Sequence, residues 1–256
     1  MKKDMAKKIP YGLTDYVLVM TDNYYYVDKT QYIDLLEQTG RFLFLIRPRR
    51  FGKSLFLNML NCYYDVKYAD RFEELFGNQY IGKHPTAEQG KYLVLRFNFS
   101  MVRATDDKLE AAFNRHISLE TAYFASVYAS YFKPDFQEQL KLIPEAAGRL
   151  EYICLCAKEQ GLSIYLLIDE YDNFTNTILS SKGNDVYHSL THDSGFYRSF
   201  FNVVKGVTTG AEAPVKRMFI TGVSPVTLDD VTSGFNIGTN ITTNEQFNSM
   251  VGFSES

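Results

Sequence analysis

Gly52, Lys53 and Ser54 are the residue types needed to hold a phosphate chain. A glycine allows close backbone approach, an ammonium meets the β- and γ-phosphates, and a hydroxyl meets their metal ion. The three follow a short apolar run, "RFLFLI" at 41–46, and open a stretch of helical spacing, "KSLFLNMLNCYYDV". A strand, a short loop and a helix in that order aim the positive end of the helix at an anion. They also place the loop beyond the carboxyl end of a strand, where open α/β sheets bind ligands. The usual pattern, G-x-x-x-x-G-K-[ST], fails at its first place, where Arg47 stands. Pro48 fixes its own φ near about −65° and pushes Arg47 toward an extended conformation. The entry of the loop is therefore expected to differ from the glycine version, while "FGKS" keeps the phosphate-facing groups. Arg49 and Arg50 either reach phosphates from within the loop or pair with acidic groups. Phe51 and Leu55 flank Gly-Lys-Ser and complete the nucleotide-binding candidates of this segment.

Gly-Lys-Ser alone is weak evidence, because a three-residue match recurs by chance. "YLLIDE" is the second element: an apolar strand that ends in two carboxylates. Asp169 at such a strand end suits a Mg²⁺ shell, the role of a Walker-B aspartate, and Glu170 is placed to polarise an attacking water. The alternative for both is a solvated strand end. "YLVLRFNFS", 92–100, lies between the phosphate strand and the acidic strand in sequence. In P-loop ATPases with an added strand, that interval lets the acidic strand lie one place from the phosphate strand. A fourth strand, within "VKRMFITGVSP", ends in Thr221 and Ser224. Either these sense the γ-phosphate, or they cap the following turn.

These groups need a scaffold. Residues 1–23 read as a polar, turn-rich N-terminal arm, and 24–256 as one ATPase-sized domain forming the N-terminal part of a longer protein. "YYYVDKTQYIDLLEQTG" ends in a helix, with Thr30 or Asp28 as its cap and Gly40 after its end. A loop-rich stretch follows the phosphate helix. Helices are expected over 105–131, 136–160 and 185–206, and a weak fifth strand in "FNIGTNIT". Strands alternating with helices argue for βαβ units and a sheet covered on both faces. The expected fold is α/β: a mainly parallel five-stranded sheet flanked by helices.

Composition sets the remaining bounds. The 256-residue chain is 45% hydrophobic and carries a formal charge of −3, so a globally basic nucleic-acid binder is not indicated. Three cysteines are too few and too oddly spaced for a disulfide framework and read as buried thiols. No apolar run has the length of a membrane helix and no signal-peptide core is present. These features favour the cytoplasm and give no membrane partner. "HSLTH" places His188 and His192 at metal-ligand spacing, but Ser189 stands where a zincin has glutamate, so no zinc site is expected. "TLDDVTSGFN" is acidic and loop-like, with no readable chemistry.

Four blocks in order, "YYYVDKT", "FLIRPRRFGKSLFLNML", "LLIDEYDNF" and "FITGVSPV", resemble the AAA-ATPase-like family of bacterial and archaeal proteins. In that family the loop itself reads R-P-R-R-F-G-K-S, so the absent glycine looks like a family trait. The resemblance spans about residues 8–253. It implies an AAA-like P-loop fold that binds ATP with Mg²⁺. Lys53 would serve the phosphates, Ser54 and Asp169 the magnesium, and Glu170 the water. "YVDKT" looks like the box that lies beside the adenine, making Tyr26, Val27 and Asp28 candidates for base contacts; ordinary packing is the alternative. Family members often carry a PD-(D/E)XK nuclease-like domain after the ATPase, which this chain would precede. "KPDFQEQLK" lacks the nuclease spacing and reads as a helix start. No arginine finger is assignable. Three functions stay open: an ATPase driving conformational change, a nucleotide-gated switch with little turnover, and the regulatory half of a nuclease acting on nucleic acid. Assembly into an oligomer is compatible with each.

Overall fold

A computed structural model describes residues 7–102, 108–191, 195–224 and 238–253. The chain divides into two compact units: residues 1–40, 49–91 and 243–256 form one, and 41–48 with 92–242 form the other.

The second unit holds the sheet. Its strands are β1 (Phe42–Ile46), β2 (Leu93–Asn98), β3 (Ile164–Asp169), β4 (Val215–Gly222) and β5 (Thr239–Asn240). All pairings are parallel, and the order is β2-β3-β4-β1-β5. β3 is buried along its whole length, as a central parallel strand must be when helices cover both faces. Its register sets Asn98 opposite Asp169 on one side and Ile168 opposite Ile220 on the other. The acidic strand β3 therefore lies one place from β1, with β4 between, as the interval in the sequence suggested.

The helices of this unit are α6 (Leu109–Val127), α7 (Phe136–Lys141), α8 (Ala146–Glu159), α9 (Asn173–Lys182), α10 (Asn184–Thr191) and α11 (Phe196–Thr208). α6 buries Phe113, Ile117, Thr121 and Phe124, a three-to-four residue spacing that makes one apolar stripe. It packs on β2 and α8, and α11 packs on β4 and α8. Phe99, Phe113, Tyr197 and Phe200 interlock edge to face, with Phe99 and Phe113 centroids 5.4 Å apart. Burying one such ring contributes about 1.5–3 kcal/mol.

Two expected helices are broken. The span 136–160 divides into α7 and α8 around Pro144, which donates no hydrogen bond and disfavours helix in the residue before it. The span 185–206 divides into α10 and α11 at Gly195, where a Cβ would lie 2.2 Å from the Leu190 carbonyl oxygen. The expected loop "SSKGND" is mostly helical: α9 runs to Lys182 and only Gly183, at φ 82°, separates it from α10. "TLDDVTSGFN" and His192 lie outside the described residues.

The first unit holds α1 (Tyr16–Thr21), α2 (Tyr32–Thr39), α3 (Lys53–Tyr64), α4 (Phe72–Phe76) and α5 (Tyr80–Lys83). α1 lies in the arm read as turn-rich; Asp15 caps it by accepting from the Leu18 N–H at 3.1 Å. α1 packs on α3 and α4, with Tyr16 stacked on Phe76 at 5.2 Å and donating to the Leu75 carbonyl. α5 falls in the stretch read as loop-rich. Glu37 accepts from the Tyr64 and Thr86 hydroxyls at 2.9 and 2.8 Å, tying α2, α3 and the following loop together. Among the described residues no helix is long and apolar enough to cross a membrane.

Candidate functional site

In the sheet unit β1 continues into Arg47, whose N–H donates to the Gly222 carbonyl at 3.1 Å and prolongs the ladder with β4. The Arg47 guanidinium donates to the carbonyls of Ile46 and Thr242. Arg47 thus ties the end of β1 to the chain beyond β5, and it does not take the left-handed conformation a loop-opening glycine would supply. The left-handed residues of this segment are Arg50, at φ 68°, and Gly52, at φ 85°.

Those two belong to the first unit, as does the helix they precede. Gly52 is the N-cap of α3 and brings no capping side chain. A Cβ there would meet nothing within 4 Å, so backbone conformation and not space calls for glycine. The 12-residue helix starts at Lys53, 5% exposed, followed by half-buried Ser54 and Leu55. Arg49, Arg50 and Phe51 are exposed. A helix start without a side-chain cap, an ammonium in its first turn and an adjacent hydroxyl form a donor set that fits phosphate oxygens and, at Ser54, a hard cation.

The adenine-side candidates are in the same unit and have other partners. Asp28 accepts from the Thr30 N–H and hydroxyl at 2.8 and 2.7 Å and from the Tyr80 N–H at 2.7 Å. The Thr30 hydroxyl accepts from the Ile81 N–H. Neither side chain caps α2; both pin the entry of that helix to α5. Tyr26 sets its ring edge to face against Tyr16 at 5.3 Å, and burial, then the Asp28 carboxylate, push its phenol upward. Val27 is half-buried beside them.

The carboxylates are in the sheet unit, at the carboxyl ends of β3 and β4. Asp169 is 2% exposed and accepts from the Thr221 hydroxyl at 2.6 Å; Thr221 is fully buried. The carboxylate is thus oriented by a hydroxyl from the next strand, and it offers the hard oxygen that Mg²⁺ prefers. Glu170 follows, half-buried, at φ 50°. The Tyr171 N–H then donates to the Thr221 carbonyl at 3.1 Å.

Two residues that the sequence reading left out stand here. Asp172, 1% exposed, accepts from the Val223 and Ser224 N–H groups and from Asn176. The Tyr171 hydroxyl donates to the Ser224 carbonyl, and Tyr171's own carbonyl accepts from the Tyr197 hydroxyl. Ser224 therefore meets this turn through its backbone. The available signal was the second aspartate in D-E-Y-D, just before a helical run. In the second unit the structure brings together Asp169, Glu170, Thr221 and Ser224; in the first, residues 49–55 form one contiguous loop and helix start.

A family model described as "Predicted AAA-ATPase" matches residues 10–232. Among curated proteins the chain is similar to the "Uncharacterized protein in vnfD 5'region" of Azotobacter chroococcum mcd 1, at 26% identity over 257 residues. The match covers 97% of this chain and 43% of that protein, so the chain spans less than half of the relative's length. No solved structure matches.

Proposed function

Because the chain belongs to the predicted AAA-ATPase family, we propose that it binds ATP with Mg²⁺ and hydrolyses it to drive a conformational change. The observation that carries this reading is the end of β3: a buried Asp169 held by the Thr221 hydroxyl, one strand from β1, with Glu170 directly after it. Lys53 and the first-turn N–H groups of α3 bind the phosphate chain, and Gly52 lets the backbone approach. Arg49 and Arg50 add positive charge at the loop, and Phe51 and Leu55 border it. Ser54 and Asp169 would be the residues to hold a Mg²⁺ ion, which would supply positive charge against that developing on the phosphates. Glu170 orients and polarises the attacking water, and Thr221, with Ser224 beside it, reports the state of the terminal phosphate to β4. Tyr26, Val27 and Asp28 wall the base side; the hydrogen bonds of Asp28 favour a positional role over a direct contact.

The test is Glu170→Gln in a coupled phosphate-release assay alongside nucleotide binding. Turnover is expected to fall at least about 100-fold while ATP affinity stays within threefold, since general-base assistance is worth about 10²–10⁴. Turnover equal to that of the parent protein removes Glu170 from this role. A parent protein that retains intact ATP for hours marks a nucleotide-gated switch. A second reading, a regulatory ATPase half joined to a nuclease-like domain, rests on the family resemblance; the curated relative is more than twice the matched length, which is compatible with it. Nucleic-acid-stimulated turnover of a full-length protein would favour it.

A further inference from the structure

Asp172 is a buried carboxylate that the proposed chemistry does not use. Its Oδ2 accepts from the Ser224 N–H at 2.5 Å, the Val223 N–H at 3.0 Å and the Asn176 amide at 2.9 Å, while its Oδ1 lies 3.1 Å from the same Val223 N–H. Two of these donors are the backbone groups directly beyond β4, past the last strand residue, Gly222. A backbone N–H past a strand end takes its partner from outside the strand's own register, and burial of such a group without any partner is costly. The carboxylate supplies that partner from the β3–α9 turn. Tyr171 adds two bonds across the same gap, from its N–H to the Thr221 carbonyl and from its hydroxyl to the Ser224 carbonyl. Gly222 sits against both side chains: a Cβ there would be 2.3 Å from Tyr171 Cε1 and 2.7 Å from Asp172 Oδ1. The turn after Asp169 and the end of β4 are therefore closed on each other, and the Thr221–Asp169 bond lies inside that closure.

We propose that Asp172 is a positioning residue: by gripping the Val223 and Ser224 amides it fixes the end of β4 so that the Thr221 hydroxyl stays on the Asp169 carboxylate. The role in turnover rests on the ATPase reading; the grip itself does not. Asp172 makes the more effective clamp than an amide because all its partners here are donors. Asparagine would set an NH₂ group among them, with nearly unchanged shape.

The experiment uses the full chain with Asp172→Asn, and Tyr171→Phe as a milder variant that removes one bond of the same closure. The first readout, amide hydrogen exchange at Val223 and Ser224, is independent of turnover. Exchange at both is expected to rise at least about tenfold in D172N, and less in Y171F, because bonds to a charged acceptor are the stronger ones. Unchanged exchange in both variants overturns the grip. The second readout is kcat in a cycle with Thr221→Val. D172N alone is expected to lower kcat about 10–100-fold, the usual cost of losing a group that orients a metal ligand. In the T221V background the same change should cost less than about threefold, since the bond it protects is already absent. Losses that multiply across the cycle overturn the positioning role and leave Asp172 a fold-stabilising group. A parent chain without turnover refutes the ATPase reading instead, and the exchange measurement still decides the grip.

Discussion

Thr221→Val removes a single oxygen from the centre of the site and keeps the side-chain shape. In the structure that oxygen is fully buried and donates to Asp169 Oδ1 at 2.6 Å, with the carboxylate itself 2% exposed. No cavity opens, and the methyl that replaces the hydroxyl must draw back from the carboxylate oxygen, so the change loses the bond and adds a small steric cost. A bond to a charged acceptor contributes about 1.5–3 kcal/mol, and the deserted carboxylate oxygen has little water to turn to. For a chain of this size about 1 kcal/mol moves Tm by about 2–4 °C, so a loss of about 2 kcal/mol lowers Tm by about 4–8 °C. Urea unfolding followed by far-UV circular dichroism measures it; the chain has 19 tyrosines and no tryptophan, so tyrosine fluorescence is the second probe. Repeating the substitution in an Asp169→Asn background separates the charge from the shape. There the bond is neutral and its loss costs about 0.5–1.5 kcal/mol, leaving a coupling of about 1 kcal/mol. A T221V loss below about 0.5 kcal/mol at unchanged m-value, or zero coupling, would refute the assignment of this hydroxyl to the carboxylate.

Other perturbations probe the neighbouring parts. Gly222→Ala forces a methyl into Tyr171 and Asp172 and should cost about 1–3 kcal/mol by urea unfolding; stability within about 0.5 kcal/mol of the parent would mean that the closure is looser than the 2.3 Å approach indicates. Arg50→Ala keeps a Cβ at φ 68° and removes the guanidinium, whereas Arg50→Gly also relieves the backbone, so ATP affinity should fall alike in both by about 3–10-fold if the charge meets phosphate. Equal affinity in all three proteins, by isothermal titration, makes Arg50 a structural residue. His116, buried on α6 and hydrogen-bonded to the Asn98 backbone, has its pKa lowered from 6.5, chiefly by desolvation. The unfolded chain then binds the extra proton first as pH falls below 6.5, so this contribution to stability is full above that value and declines beneath it. His116→Gln should flatten the loss of unfolding free energy as pH falls below 6.5, and parallel profiles for the two proteins would contradict the assignment.

The strands were legible because parallel strands are apolar on both faces. "FLFLI" and "YLLI" stand out as unbroken apolar runs and β3 is buried at every position, while "YLVLRFNFS" keeps its apolar character around Arg96 and Asn98. β5, two residues long, rested on almost no pattern. Helix ends were read less well. Pro144 and Gly195 interrupt apolar periodicity that continues across them, so spacing alone joined separate helices. α1 was missed because six residues make a short window, although Asp15 before it is a capping residue. The closure around Asp172 is harder still: its partners are backbone N–H groups 51 and 52 positions away, and backbone donors leave no trace in residue types. Asp28 shows the reverse. Its carboxylate looked available for a ligand, yet residue type says nothing of the hydrogen bond it accepts from the Tyr80 N–H.

Backbone strain supplies an independent argument about where the chemistry lies. Among the described residues three that are not glycine have positive φ: Asn23, Arg50 and Glu170. Asparagine tolerates that region, so Asn23 needs no further account. Arginine and glutamate have no such preference, and each costs about 1–2 kcal/mol there relative to a right-handed conformation. A turn that only had to reverse the chain would be more stable with glycine at either place, as Gly183 is between α9 and α10. Both strained positions carry a charge, a cation two residues before Gly52 and a carboxylate one residue after Asp169. Strained positions persist only where their surroundings over-determine them. At Glu170 the surroundings are visible: Tyr171 and Asp172 are hydrogen-bonded to the end of β4 immediately after it, and β3 is buried immediately before it. The turn cannot relax toward a right-handed φ without breaking those bonds. The same closure that holds Thr221 on Asp169 therefore also brackets the backbone of Glu170, which is half-buried.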